Sequence, residues 1–182
     1  MNIWEIRSTM CEKGISEAII GQFAFPASEE ETPEEKVAFT EQMDRLLSKE
    51  QILSVMAEQG CNKNDPNPEW MQKFEGKSIE KRIEILNAMS RSEAAFYRLN
   101  GDGTLSILWD FEENGKYICV CSTINELKNP ANVSLTYCGC CSGHIKFHSE
   151  NFLGVKLCLI ETVSSPIASN GKNYCEHLFE IC

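Results

Sequence analysis

The sequence predicts an α+β fold, with N-terminal helices packed on an antiparallel sheet of about four strands. Three observations carry that expectation. Apolar residues recur at helical spacing through the N-terminal half, up to the turn "NGDGT" at 100–104. Beyond that turn the pattern changes to alternation of apolar and polar residues. Two turn-forming pairs, Asn114-Gly115 and Asn170-Gly171, then divide the remainder into β-rich runs. The order of elements is helices, hairpin, helix, hairpin, which segregates helix from sheet. A single domain, 1–182, is expected, mainly helical over 1–99, with the hairpin, helix, hairpin part and the cysteine cluster in 100–182.

The first element is a mixed-charge amphipathic segment from about Ile3 to Phe23, broken by "PASEEETP". Thr32-Pro33-Glu34-Glu35 is a helix start: Thr32 is an N-cap, Pro33 occupies the first helical position, and Glu35 is spaced to close a capping box. Val37, Phe39, Met43, Leu46, Ile52 and Met56 continue the helical spacing towards Gly60, and Ser48 offers a cap for a second helix. "CNKNDPNPEW" is a loop by its Asn, Asp and Pro content. Helical spacing resumes at Trp70, Met71 and Phe74, runs on through Ile79, Ile83, Leu86 and Met89, and fades near Arg98. "TLSILWDFEENGKYICVCST" reads as a hairpin around Asn114-Gly115, and "NELKNPANV" as a loop. "SGHIKFHSENFLG" reads as a short helix ending near Gly154. "VKLCLIETVSS" and "NYCEHLFEIC" are two strands joined through "PIASNGK".

A chain of 182 residues is long enough to bury a core without disulfides or metal. With a formal net charge of -10 and no Lys/Arg cluster, the surface repels phosphate backbones and anionic headgroups, so neither nucleic acid nor an acidic membrane is an expected partner. No apolar run approaches the ~20 residues that span a bilayer. The first residues, "MNIWEIRSTM", mix charges into the apolar pattern, unlike a signal peptide. A cytoplasmic location is therefore expected, where thiols stay reduced. In that setting the ten cysteines read as metal ligands or reactive thiols rather than a disulfide framework.

Five of them form a constellation. Cys119 and Cys121 are two apart on a predicted strand and share a face. Cys138, Cys140 and Cys141 fall just before the predicted short helix, where free amides favour thiolate. Four such donors suit zinc or an iron-sulfur cluster. Cys119, Cys121, Cys138 and Cys141 are the first candidates, with Cys140, Cys61 and His144 as alternates. Reactive thiols and inert burial are the competing readings. Cys11, Cys158 and Cys182 read as buried core residues. His144 and His148 are four apart and Cys141 precedes His144 by three, so a helix would let all three share a face, while Ile145, Phe147 and Phe152 argue for packed histidines. Cys61 is either an incidental neighbour of a Gly60 helix cap or a loop thiol able to approach the other cysteines. Arg91 and Arg98 are candidates for a ligand carboxylate, although helical surface arginines usually bind none. No phosphate loop, nucleophile elbow or H-E-x-x-H occurs.

The C-terminal residues Gly143, Gly154-Val155, Glu161, Gly171 and Cys175 match a pattern that resembles the end of the 4-vinyl reductase domain. The longer set "MAEQGC", "CVCS" and "YCGCCSGH" resembles an uncharacterised bacterial family near L-2-amino-thiazoline-4-carboxylic acid hydrolases, over about two thirds of the chain from Ser48 onward. Two departures stand out: Ser164 and Ser165 occupy a region where vinyl-reductase-type domains often carry cysteine, and Asn62, Lys63 and Asn64 follow Cys61. The resemblance implies the fold shared by heme nitric-oxide-sensing domains and TRAPP trafficking subunits, often dimeric, with a hydrophobic pocket between sheet and helices. It also implies a small-molecule ligand, with zinc and hydrolysis in prospect.

Three functions follow as expectations. The first is a cytoplasmic domain that binds or senses a small molecule and holds zinc or an iron-sulfur cluster. The second is a hydrolase of cyclic thioimidates or amides, working through metal-activated water or a thiolate from Cys140 or Cys141 with His144 as base. The third is a dithiol redox protein, ranked last because no C-x-x-C pair occurs.

Overall fold

The computed structural model describes residues 1–28, 30–89, 95–127 and 133–182; Arg91 and most of the loop expected at 125–133 lie outside the described residues. The first amphipathic segment forms two helices, α1 (Ile3–Glu12) and α2 (Glu17–Ile20), because Gly14 between them takes a φ of +75° that no helix accommodates. Helix α3 (Pro33–Leu46) starts with the expected capping box: Glu35 donates its amide to Thr32 Oγ1 at 3.1 Å, and the Thr32 amide donates to the Glu35 carboxylate at 2.8 Å. Ser48 and Gln51 repeat the device at α4 (Lys49–Met56). Helices α5 (Pro68–Gln72) and α6 (Ile79–Asn87) follow.

The helical part ends earlier than the periodicity implied. Asn87 accepts the Tyr97 amide at 2.8 Å and donates to the Tyr97 carbonyl at 2.7 Å, so its side chain stands in for a neighbouring strand and the segment near Arg98 becomes β1 (Phe96–Leu99). "NGDGT" then closes a hairpin onto β2 (Thr104–Trp109). The Asn114-Gly115 turn forms as expected, with φ of +51° and +73°, but it joins only β3 (Glu112–Glu113) to β4 (Lys116–Tyr117), apart from the main sheet. The exposed Glu112-Glu113 pair suits a surface ribbon, whereas β2, buried along its length, takes a central place. A short α7 (Ser122–Asn125), a long α8 (Leu135–Leu153) and strands β5 (Leu157–Ser164) and β6 (Cys175–Ile181) complete the described chain. The main sheet is antiparallel in the order β1-β2-β6-β5. The fold is therefore α+β with a four-stranded antiparallel sheet, as expected.

Helix α8 is the middle layer. Its Ile145 and Leu153 join Leu105, Ile107 and Phe179 over the sheet, while Cys140 joins a second core made by α1, α3 and α4 around Ile6, Met10, Phe39 and Met43. Two glycines inside α8 make that second contact close. A Cβ at Gly139 would lie 2.6 Å from Met56 Cβ, and one at Gly143 would lie 1.7 Å from the Gln59 carbonyl oxygen. Four residues apart, they present one bare stripe on which the end of α4 rests.

Candidate thiol site

Against that stripe lies the loop after α4. The helix ends at Met56 with Ala57 as its cap, so Gly60 is not a helix cap; its role is close approach, since a Cβ there would meet the His144 amide nitrogen at 3.2 Å. Gln59, 3% exposed, donates to Thr9 Oγ1 at 3.1 Å and ties the loop to α1. On the other side His148 Nε2 donates to the Asn62 carbonyl at 2.9 Å. Between these anchors sits Cys61, exposed at the surface and directly after Gly60, which packs against the His144 backbone of α8.

This placement sorts the protons. Cys140, and then His144, lower the Cys61 thiol to about 4, far below the usual range. Cys140, buried with 5% exposure and beside that thiolate, is pushed the other way and keeps its proton. His144 lies between the tilted rings of Trp109, at 5.7 Å, and His148, at 4.6 Å, and its buried Nδ1 has no hydrogen-bond partner among the described residues. An exposed thiolate with an imidazole beside it is the arrangement a nucleophilic cysteine requires.

The expected thiolates were placed elsewhere. Cys138, Cys140 and Cys141 lie inside α8, not at its N-terminus, and burial raises Cys138 to about 11 and Cys141 well above the ordinary thiol. Cys119 and Cys121 are not on a strand, because β4 stops at Tyr117 and Cys121 caps α7. The structure nevertheless brings Cys119, Cys121, Cys138 and Cys141 into one another's electrostatic field, and adds Cys175, the first residue of β6. Cys141 faces this second group, so it does not share the His144–His148 side; Cys140 does. No group of three His, Cys, Asp or Glu side chains among the described residues is drawn together to hold a metal.

Cys11, Cys158 and Cys182 are not core residues. All three are exposed, and Cys158 and Cys182 are joined by a disulfide at the outer ends of β5 and β6. Arg98 is exposed too, with its guanidinium on Glu176 at 2.8 Å and Ser106 at 3.3 Å. Sequence reasoning passed over His177, fully buried in β6, although alternation with Cys175 and Phe179 put it on the inward face. Its Nδ1 lies 2.6 Å from Ser142 Oγ, which is 2.9 Å from Thr162 Oγ1, and burial lowers its imidazole to about 4. Thr162 also lines a cavity of about 330 Å³ between α3, α4, α8 and β5, walled by Leu47, Ile52, Leu53 and Leu159 and rimmed by the Lys49–Glu161 ion pair at 3.0 Å.

Compared with known proteins, the chain matches no family model, no curated protein and no solved structure. The geometry alone therefore carries the functional argument.

Proposed function

We propose that the protein binds a small electrophile and works through a cysteine-histidine centre, Cys61 with His144, hydrolysing a thioimidate or amide bond. The observation that carries this reading is an exposed thiol on a loop docked against the His144 backbone of α8, with the buried His144 Nδ1 left without a hydrogen-bond partner among the described residues. The Cys61 thiolate attacks the C=N or C=O carbon, and His144 gives a proton to the departing nitrogen. His144 then takes a proton from water as that water attacks the adduct, breaking the carbon–sulfur bond and releasing Cys61. The nucleophile thus moves from Cys140 and Cys141, the sequence candidates, to Cys61, and His144 keeps its role. The test is trapping: with cyclic thioimidate or amide substrates, mass spectrometry of quenched reactions should find the adduct on Cys61, and Cys61→Ser should form none. Turnover unaffected by Cys61→Ser would end the proposal.

A second reading rests on five thiols, two buried and three half-buried. Cys119, Cys121, Cys138, Cys141 and Cys175 are a soft donor set suited to zinc or an iron-sulfur cluster, and binding would draw together side chains that do not yet converge. Elemental analysis of anaerobically purified protein tests it. Kinship with the aminothiazoline carboxylate hydrolases and the 4-vinyl reductase domain, a cytoplasmic address and a homodimer belong to the same proposal. The element order and the cavity between sheet and helices support the kinship, and light scattering tests the dimer.

A further inference from the structure

We infer that the cavity between α3, α4, α8 and β5 is a second binding site, for a small uncharged carbonyl compound with an apolar body, whose carbonyl oxygen accepts a hydrogen bond from Thr162. The inference stands apart from the Cys61–His144 reading and needs no chemistry at Cys61. Size and lining set the body of the ligand. The cavity of about 330 Å³ has room for roughly ten non-hydrogen atoms, if each takes the ~30 Å³ of a liquid water, and Leu47, Ile52, Leu53 and Leu159 wall it. Depth sets the head. Thr162, 8% exposed, is the one buried polar residue of the lining, whereas Lys49 and Glu161 keep 65% and 47% of their side-chain surface in solvent at the rim.

A buried chain behind Thr162 fixes which way its proton points. Thr162 Oγ1 lies 2.9 Å from Ser142 Oγ, which lies 2.6 Å from His177 Nδ1, and Ser142 and His177 are fully buried. His177 Nε2 has no partner among the described residues. An orphaned buried N–H is rarer than an orphaned lone pair, so the ring proton belongs on Nδ1, which donates it to Ser142. Ser142 in turn donates to Thr162, the nearer of its two acceptors, the other being the Cys138 carbonyl at 3.5 Å. Thr162 thus keeps its own proton for an acceptor in the cavity, and a carbonyl oxygen supplies one without a charge. Ionic heads are disfavoured. Glu161 is already paired with Lys49 at 3.0 Å, and Asp44 accepts from the Thr136 hydroxyl at 2.5 Å, so a carboxylate or ammonium carried between the leucines would exchange its water for a single hydroxyl.

The experiment titrates the intact protein, carrying carbon-13 in its Ile and Leu methyl groups, at neutral pH with four probes of similar shape: acetophenone, ethylbenzene, benzoate and benzylammonium. Acetophenone should shift the Ile52, Leu53 and Leu159 methyl signals to saturation, and benzoate and benzylammonium should bind more weakly or not at all. Thr162→Val should weaken acetophenone roughly three- to tenfold, the worth of one hydrogen bond, and hold ethylbenzene as tightly as before. A charged probe that binds at these methyls more tightly than acetophenone overturns the uncharged class. Cavity methyl signals that do not move with acetophenone overturn the site. Thr162→Val that loses no acetophenone affinity, or loses ketone and hydrocarbon equally, overturns the role of the hydroxyl. The wild-type titration decides the site and the charge of its ligand even if Thr162→Val folds poorly.

Discussion

Cys61 and His177 show how position sets the chemistry of a side chain. Cys61 owes its ionisation to two neighbours contributed by α8, so His144→Asn should shift its titration upward, read as the pH midpoint of iodoacetamide alkylation. The rate at neutral pH is a poor test. A lower thiol pKa raises the thiolate fraction but lowers its intrinsic nucleophilicity, with a Brønsted coefficient of about 0.4–0.5, and the two effects nearly cancel. At pH 5 they do not, and Cys61 should react roughly 30-fold faster than a model-peptide cysteine. His177 works in the opposite sense. Buried and neutral, it titrates at about 4 in the fold, whereas in the unfolded chain it takes a proton near 6.5. Its stabilising share is therefore complete above pH 6.5 and is lost as pH falls towards 4, by roughly 3 kcal/mol at about 1.4 kcal/mol per pH unit. Urea unfolding at the two pH values should give that loss in the wild type, and His177→Gln should remove it.

At the scale of elements, α8 decides the site. Its start at Leu135 was not legible, because a cysteine- and glycine-rich run has poor helix propensity, each interior glycine costing about 1 kcal/mol. Packing overrides that cost: the bare stripe at Gly139 and Gly143 seats α4, and the same contact delivers Cys61. Gly143→Ala would place a methyl on the Gln59 backbone and should destabilise the protein by about 3 kcal/mol or more. Surviving folded protein should also lose the acid-shifted alkylation of Cys61, because the loop must lift. By contrast the starts of α3 and α4 were legible from Thr32, Glu35, Ser48 and Gln51, whose side chains satisfy amides within their own first turn. The end of α6 was not, because the Asn87–Tyr97 pairing that stops it is ten residues long in sequence and specific to the fold.

For the molecule as a whole, the α+β class and the four-stranded sheet could be read from periodicity, since burial of one face per element is written locally. The gathering of thiols could be read only in part. The cluster of Cys119, Cys121, Cys138 and Cys141 was visible as sequence density, while Cys175 enters through the β2–β6–β5 pairing and Cys61 through the docking of α4. If these thiols hold zinc, Cys138→Ser should lower bound metal from about one per chain to near zero and reduce the melting temperature, with Cys11→Ser unchanged in both, as read by elemental analysis and calorimetry. The central claim, that the loop after α4 presents an ionised Cys61 to solvent, is tested most directly by its alkylation rate against pH, followed by peptide mass spectrometry. The structure predicts a rate nearly constant from pH 8 down to about 5 and falling only towards pH 4. A rate that instead climbs about tenfold per pH unit up to pH 8, as an ordinary thiol does, would contradict it.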